Sequence, residues 1–121
     1  MKVFVYRNLT RNTWSIRAME GPQKGLVIQH ADTVLLSCPV AKISQAGRRR
    51  VLRDKQKNVH AGVVGYLSHA SDVVLSVPEG SRRVTYNPYK GPTFVYADDR
   101  DTTWTDSPWA LLQGGQVLVL D

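Results

Sequence analysis

The chain has one cysteine, Cys38, in 121 residues. That excludes an internal disulfide framework and any zinc site built from cysteines alone. No apolar run approaches the ~18 residues that a membrane-spanning helix requires, and Met1-Lys2-Val3-Phe4-Val5-Tyr6-Arg7 lacks the layout of a secretory signal. Glutamate is scarce: Glu20 and Glu79 are the only two, and both adjoin glycine or proline turns. There is no phosphate-binding glycine loop, no Gly-x-Ser-x-Gly and no His-Glu-x-x-His. His30-Ala31-Asp32 sets two potential ligands on one side of a strand without a third. Pairing Cys38 with His30, His60 or His69 would need a proximity that spacing does not supply. The expectation is a protein that is not an enzyme, with no metal and no cofactor.

What is present is positive charge, and it is concentrated. The net charge is +6. Between Lys42 and Lys57 stand Lys42, Arg48, Arg49, Arg50, Arg53, Lys55 and Lys57, seven cations against Asp54 alone, so this segment holds the whole excess. Elsewhere nine basic and nine acidic groups balance. An even coat of lysine would speak for solubility; one dense segment speaks for a site facing an anionic partner. Asp98, Asp99, Asp101 and Asp106 form an acidic stretch that can fold back on the basic segment, bind a cation or stay solvated.

Hydrophobic content is 42% with 21% charged residues, enough for a modest core in a single domain over residues 1–121. Lys2–Tyr6 and Trp14–Met19 alternate apolar and polar residues across a turn-like segment, which predicts a β-hairpin. Gly21-Pro22-Gln23-Lys24-Gly25 is a turn. Strands are expected at 26–30, 33–37 (with a bend at Pro39), 59–67, 73–77, 83–86, 93–96 and 116–120. Ser44 can cap a helix reaching about Asn58. On that helix Val51 and Leu52 mark the inner face, with the stems of Arg48 and Lys55 over the core edge; Arg49, Arg53 and Lys57 follow at i, i+4 and i+8 outside, beside Arg50. Gly47 in the first turn is a mild weakness. Trp104 and Trp109 are candidates to cover one end of the fold or to form an oligomer contact. The predicted class is mainly β: a small antiparallel barrel or twisted sheet with one short basic helix.

Arginine matches phosphate oxygens in pairs and lysine adds a mobile charge. Arg49, Arg50, Arg53 and Lys57 are therefore the candidate phosphate-binding residues. A second cluster, Arg82-Arg83-Val84-Thr85-Tyr86-Asn87-Pro88-Tyr89-Lys90, places two tyrosines about an Asn-Pro turn between cations. Aromatic faces stack on bases and amides read base edges. Asn58, His60, Tyr86, Asn87, Tyr89 and Lys90 are thus candidates for base or ribose contact, provided the loop lies beside the helix. The alternative for both clusters is structural, a solvated helix face and a turn anchored on the core.

Three stretches carry a resemblance. They are Val3-Phe4-Val5-Tyr6 through Trp14–Ala18 to Gly21–Gly25; Ala46-Gly47-Arg48-Arg49-Arg50-Val51-Leu52-Arg53 through Lys57–Gly65; and Val84-Thr85-Tyr86-Asn87-Pro88-Tyr89. Together they resemble a family of small uncharacterised accessory proteins of tailed bacteriophages. The resemblance implies work in the host bacterial cytoplasm, dispensable to virion assembly, and brings no catalytic residues; no membrane partner is expected. Such proteins often counter host defence, for which sequestering a nucleotide messenger needs a binding site and no catalysis. The leading expectation is a non-enzymatic protein that captures a phosphate-bearing nucleotide ligand, as a homo-oligomer. The alternatives are a DNA- or RNA-binding accessory protein using the same helix, or a direct inhibitor of a host protein.

Overall fold

The computed structural model describes residues 1–120. Lys2–Asn8 (β1) and Thr13–Ala18 (β2) form the expected hairpin, with Val5 opposite Ile16, and Val27–Ala31 (β3) adds to β2 after the glycine-proline turn. A long strand, Thr33–Ile43 (β4), leads into the helix Gln45–Asp54 (α1) and then into the equally long Ala61–Ser71 (β5). Arg82–Thr85 (β6), Val95–Tyr96 (β7), Asp99–Thr103 (β8), Trp109–Gln113 (β9) and Gln116–Leu120 (β10) complete one antiparallel sheet. Its order is β3-β2-β1-β5-β4-β9-β10-β6-β7-β8. The sheet twists without closing into a barrel: β3 and β8 are its edges among the described residues.

Alternation decides which side chains meet. Val3, Val5, Ile16, Leu36, Val63, Leu112 and Val119 are buried in one core with Val84, Phe94 and Tyr96 from the far end of the sheet. Residues so distant in strand order can share a core only if the sheet curls round to face itself. Each fully buried aliphatic side chain contributes roughly 1.5–3 kcal/mol relative to exposure. The bend expected at Pro39 is a bulge inside β4: the β4–β5 register shifts between Ser37 and Val40, and Cys38 takes a φ of +50°. Cys38 and Ala41 there donate to Pro108 O (2.8 Å) and Thr105 O (2.9 Å).

Two expectations are corrected, the helix end and the strand at 73–77, and the acidic stretch and the two tryptophans gain their places in the fold. The helix ends at Asp54 rather than near Asn58, with Lys55 in the left-handed conformation and its N–H on Val51 O. Beyond Leu52 no apolar residue remains to bury, and Arg53 and Lys57 at i, i+4 would repel. Residues 73–77 form a loop, not a strand, with Val73, Val74 and Val77 exposed. The side-chain amide of Gln113 holds it, accepting from Leu75 N–H at 2.9 Å and donating to Leu75 O at 3.1 Å. Part of the acidic stretch is strand β8, an exposed edge whose aspartates discourage further pairing. Trp109 opens a strand between β4 and β10, whereas Trp104 is fully buried and edge-on to Phe94 at 5.8 Å. Among the described residues, no helix is long and apolar enough to cross a membrane.

Candidate functional site

Ser44 starts the helix as expected, its Oγ accepting from Gly47 N–H at 3.1 Å. Its own N–H donates to His60 O at 2.7 Å, which ties the start of α1 to the chain entering β5. Gly47 is buried at this junction, and a methyl group there would lie 2.5 Å from His60 Cβ. The residue that weakens the helix by propensity is the one that lets it lie against His60.

On its other side α1 seats on the Asn-Pro turn. Gln45 Nε2 donates to Pro92 O at 2.8 Å, Arg48 Nε donates to Pro88 O at 3.1 Å, and Lys55 Nζ stands 5.7 Å from the Tyr89 ring centroid. The two basic clusters therefore meet. Gln45, Arg48 and Lys55 make the contact, and none of the three is among the site candidates that the sequence offers. By helical spacing Arg48 and Lys55 read as stems over the core edge. A carbonyl partner and a ring forty and thirty-four residues downstream leave no local signature.

The candidate residues divide into two groups. Arg49, Arg50, Arg53, Lys57 and Asn58 are exposed, as are Asn87, Tyr89 and Lys90. Asn87 Oδ1 accepts from Tyr89 N–H at 2.9 Å, shaping the turn and presenting the Tyr89 ring to solvent. His60 and Tyr86 are only partly accessible and are bonded to each other, His60 Nε2 lying 2.6 Å from Tyr86 Oη. His60 Nδ1 lies 2.9 Å from Asn58 O. A carbonyl only accepts, so Nδ1 carries the proton and, in the neutral ring, Nε2 accepts from the tyrosine hydroxyl. Tyr86 continues into Phe94 with ring centroids 5.5 Å apart. These two candidates thus anchor the helix junction to the core, and the open face belongs to the others.

Burial raises the Tyr86 hydroxyl above its ordinary value, against a lowering by Arg48. An unfolded tyrosine ionises at ~10, so at alkaline pH the unfolded state loses its proton first. The stabilisation is present below that value and is lost as the pH rises through the raised one. Tyr86→Phe leaves His60 Nε2 without its donor and is expected to lower stability by about 1–2 kcal/mol in urea unfolding. It should also remove this alkaline component.

Arg53 pairs with its neighbour Asp54 at 2.9 Å, with side chains 70% and 47% exposed, a geometry that adds little to stability. Its consequence is electrostatic. The hydrogen bond from Arg53 holds the Asp54 carboxyl below the usual carboxylate range, so at neutral pH it offsets part of the stripe. Asp54→Asn is expected to tighten anion binding by about threefold at low salt, the effect of one screened surface charge, and to lose this advantage in high salt. Fluorescence anisotropy of a labelled oligonucleotide measures both.

Asp98 pairs with Arg82 at 2.9 Å, so this part of the acidic stretch has its partner on β6. His30 and His69 bond Ser15 and Ser71, at 3.0 and 3.1 Å. Among the described residues, no group of three His, Cys, Asp or Glu side chains could hold a metal ion.

No solved structure matches the chain. The gene 82 protein of Mycobacterium phage L5 is 37% identical over 106 residues, covering 81% of this chain and 79% of that protein. The family described as Mycobacterium phage L5 gene 82 protein matches residues 1–119. This bears out the resemblance to small phage proteins: the chain is a bacteriophage protein and belongs to the family of the Mycobacterium phage L5 gene 82 protein.

Proposed function

We propose that this protein is a non-enzymatic binder that captures a phosphate-bearing nucleotide. Arg49, Arg50, Arg53 and Lys57 receive phosphates, and Tyr89, Asn87, Asn58 and Lys90 receive the base and ribose. The observation that supports this reading is the seating of α1 on the Asn-Pro turn, with Lys55 beside the exposed ring of Tyr89. An exposed aromatic face beside a cation suits a stacked base with its phosphate. In a phage protein such capture serves to withdraw a defence messenger from the host cytoplasm, and two copies facing each other would deepen a shallow site.

A specific observation favours a second reading. All four phosphate candidates are exposed, and an open basic face also suits the backbone of DNA or RNA. Thermal-shift titration decides between them, with mononucleotides, cyclic dinucleotides, ADP-ribose, and 12-residue single- and double-stranded DNA and RNA at 50 and 200 mM salt. A ligand that binds only the native state raises its melting temperature by mass action. Selective stabilisation by one small nucleotide supports capture. Stabilisation by polymers alone, fading steeply with salt, moves the assignment to nucleic-acid binding. A flat response to everything overturns both and leaves the basic face to a protein partner.

A further inference from the structure

β1 and β5 pair only as far as Val5 opposite Val63, although β1 runs on to Asn8 alongside β2. At Tyr6 and Arg7 the two strands part, and the residues of β5 that would have filled the gap are Ala61 and Gly62. Across the curl of the sheet lie Tyr86, Phe94 and the β9–β10 turn at Gly115. The result is a cavity of about 220 Å³ walled by Tyr6, Arg7, Trp14, Tyr86 and Phe94. Pockets for drug-sized molecules run to roughly 300–1,000 Å³. This one holds the liquid volume of about seven waters, the scale of one or two fused rings.

Three features of its wall point to a ligand. Arg7 is held in place: its guanidinium lies over Trp14 at 5.2 Å, and Nη2 donates to Asn12 Oδ1 at 2.8 Å and Asn12 O at 3.1 Å. Those bonds use both hydrogens of Nη2, the nitrogen common to the two bidentate edges of a guanidinium, and leave Nε–H and Nη1 as single donors for an anion. Trp14 is only 5% exposed, and its indole N–H is buried with no acceptor among the described residues. That nitrogen is out of reach from the cavity, so Trp14 offers a ligand its ring and not its N–H. The opposite wall is rigid, because Tyr86 is bonded to His60 and continues through Phe94 to the fully buried Trp104.

We propose that this cavity is a second binding site, which takes a small planar heteroaromatic anion: the ring between the aromatic walls, its carboxylate or phosphate on Arg7. None of the phosphate candidates on α1 lines it, so it stands apart from the nucleotide reading. A free aromatic acid and a nucleoside monophosphate share this chemistry, and the probes separate them.

The full-length protein is titrated with orotate and with uridine 5′-monophosphate, followed by tryptophan fluorescence and calorimetry. Uracil serves as the neutral ring and acetate as the ring-free anion. At least one of the first two is expected to bind about tenfold or more tighter than both controls, the worth of one charge-assisted pair. Orotate alone identifies an aromatic acid; the nucleotide identifies a base with its phosphate. Arg7→Met should weaken binding at least ~10-fold, and Ala61→Leu, which fills the cavity from β5, should abolish it. Arg49→Glu/Arg53→Glu/Lys57→Glu should leave it unchanged. Melting curves accompany each variant, and the β5 substitution covers the case in which Arg7→Met unsettles the turn at Asn12. Binding no tighter than the controls, or retained by a folded Ala61→Leu protein, overturns the site, as does loss only in the helix variant.

Discussion

Replacing Arg49, Arg53 and Lys57 with glutamate is expected to weaken binding of a phosphate ligand by at least ~100-fold. Three surface contacts at about 1 kcal/mol each account for two decades, and reversing the charges adds repulsion to their loss. The three reversals take the chain from +6 to neutral, so net charge alone could weaken association. A matched control separates the two causes. Arg11, Lys24 and Arg100 are equally exposed but lie in the β1–β2 turn, the turn before β3, and β8; their triple reversal changes net charge identically and should cost less than ~10-fold at physiological ionic strength, where the Debye length is about 8 Å. The helix should survive, because its anchors are Gly47, Val51, Gln45 and Arg48, none of which is altered. Glutamate at position 53 opposes the helix dipole by about 0.3–1 kcal/mol, a modest loss in the melting curve. Equal effects of the two triples, each still folded, would show that the stripe acts only through total charge.

The basic segment is legible in the sequence because charge density is a local quantity. The helical spacing holds only for Arg49 and Arg53, and Lys57 lies beyond the end of α1. Also legible are the opening hairpin, the cap at Ser44 and the strand 116–120, each signalled by residues within a few positions. The expected helix overruns, because periodicity reports where a helix could continue and not where its last apolar contact lies. The expected strands omit β9, though Trp109-Ala110-Leu111-Leu112 followed by Gly114-Gly115 and Gln116 carries the pattern of a strand entering a two-residue hairpin. The meeting of α1 with Pro88–Pro92, and the cavity behind Arg7, depend on how the sheet curls. Nothing in the spacing of residues 7, 14, 61 and 86 encodes that. Gly47 shows the difference most clearly: as a helix residue it is a defect, and as a neighbour of His60 it is a requirement.

Gly62→Ala is the single substitution expected to damage the fold most. Glycine to alanine ordinarily stabilises a strand or loop by about 0.4–1 kcal/mol, through the lost freedom of the unfolded chain. At position 62 the added carbon would lie 2.4 Å from Val5 O and 2.6 Å from a ring atom of Phe4. The carbonyl belongs to the β1–β5 pairing, and the Phe4 ring is itself confined between Tyr6 (5.8 Å) and the Arg17 guanidinium (5.8 Å). Neither can withdraw without parting two central strands. Overpacking of this kind costs typically 1–3 kcal/mol and occasionally more, and two simultaneous conflicts put the expected loss at about 3 kcal/mol. For a chain of this size that lowers the melting temperature by roughly 10 °C. Gly91→Ala provides the reference, since a carbon added at Gly91 meets nothing within 4 Å and the φ there is not positive. It should leave the melting temperature within about 2 °C of the parent or raise it slightly. The close approach at Gly62 also bounds the floor of the cavity below Arg7, so the folded fraction of the Gly62→Ala protein should bind orotate and uridine 5′-monophosphate less well while keeping its affinity for ligands of the α1 stripe. A melting temperature at or above the parent's would mean that the β1–β5 junction is loose enough to admit a methyl group, and the parting of these strands at Tyr6 could then not define a fixed cavity.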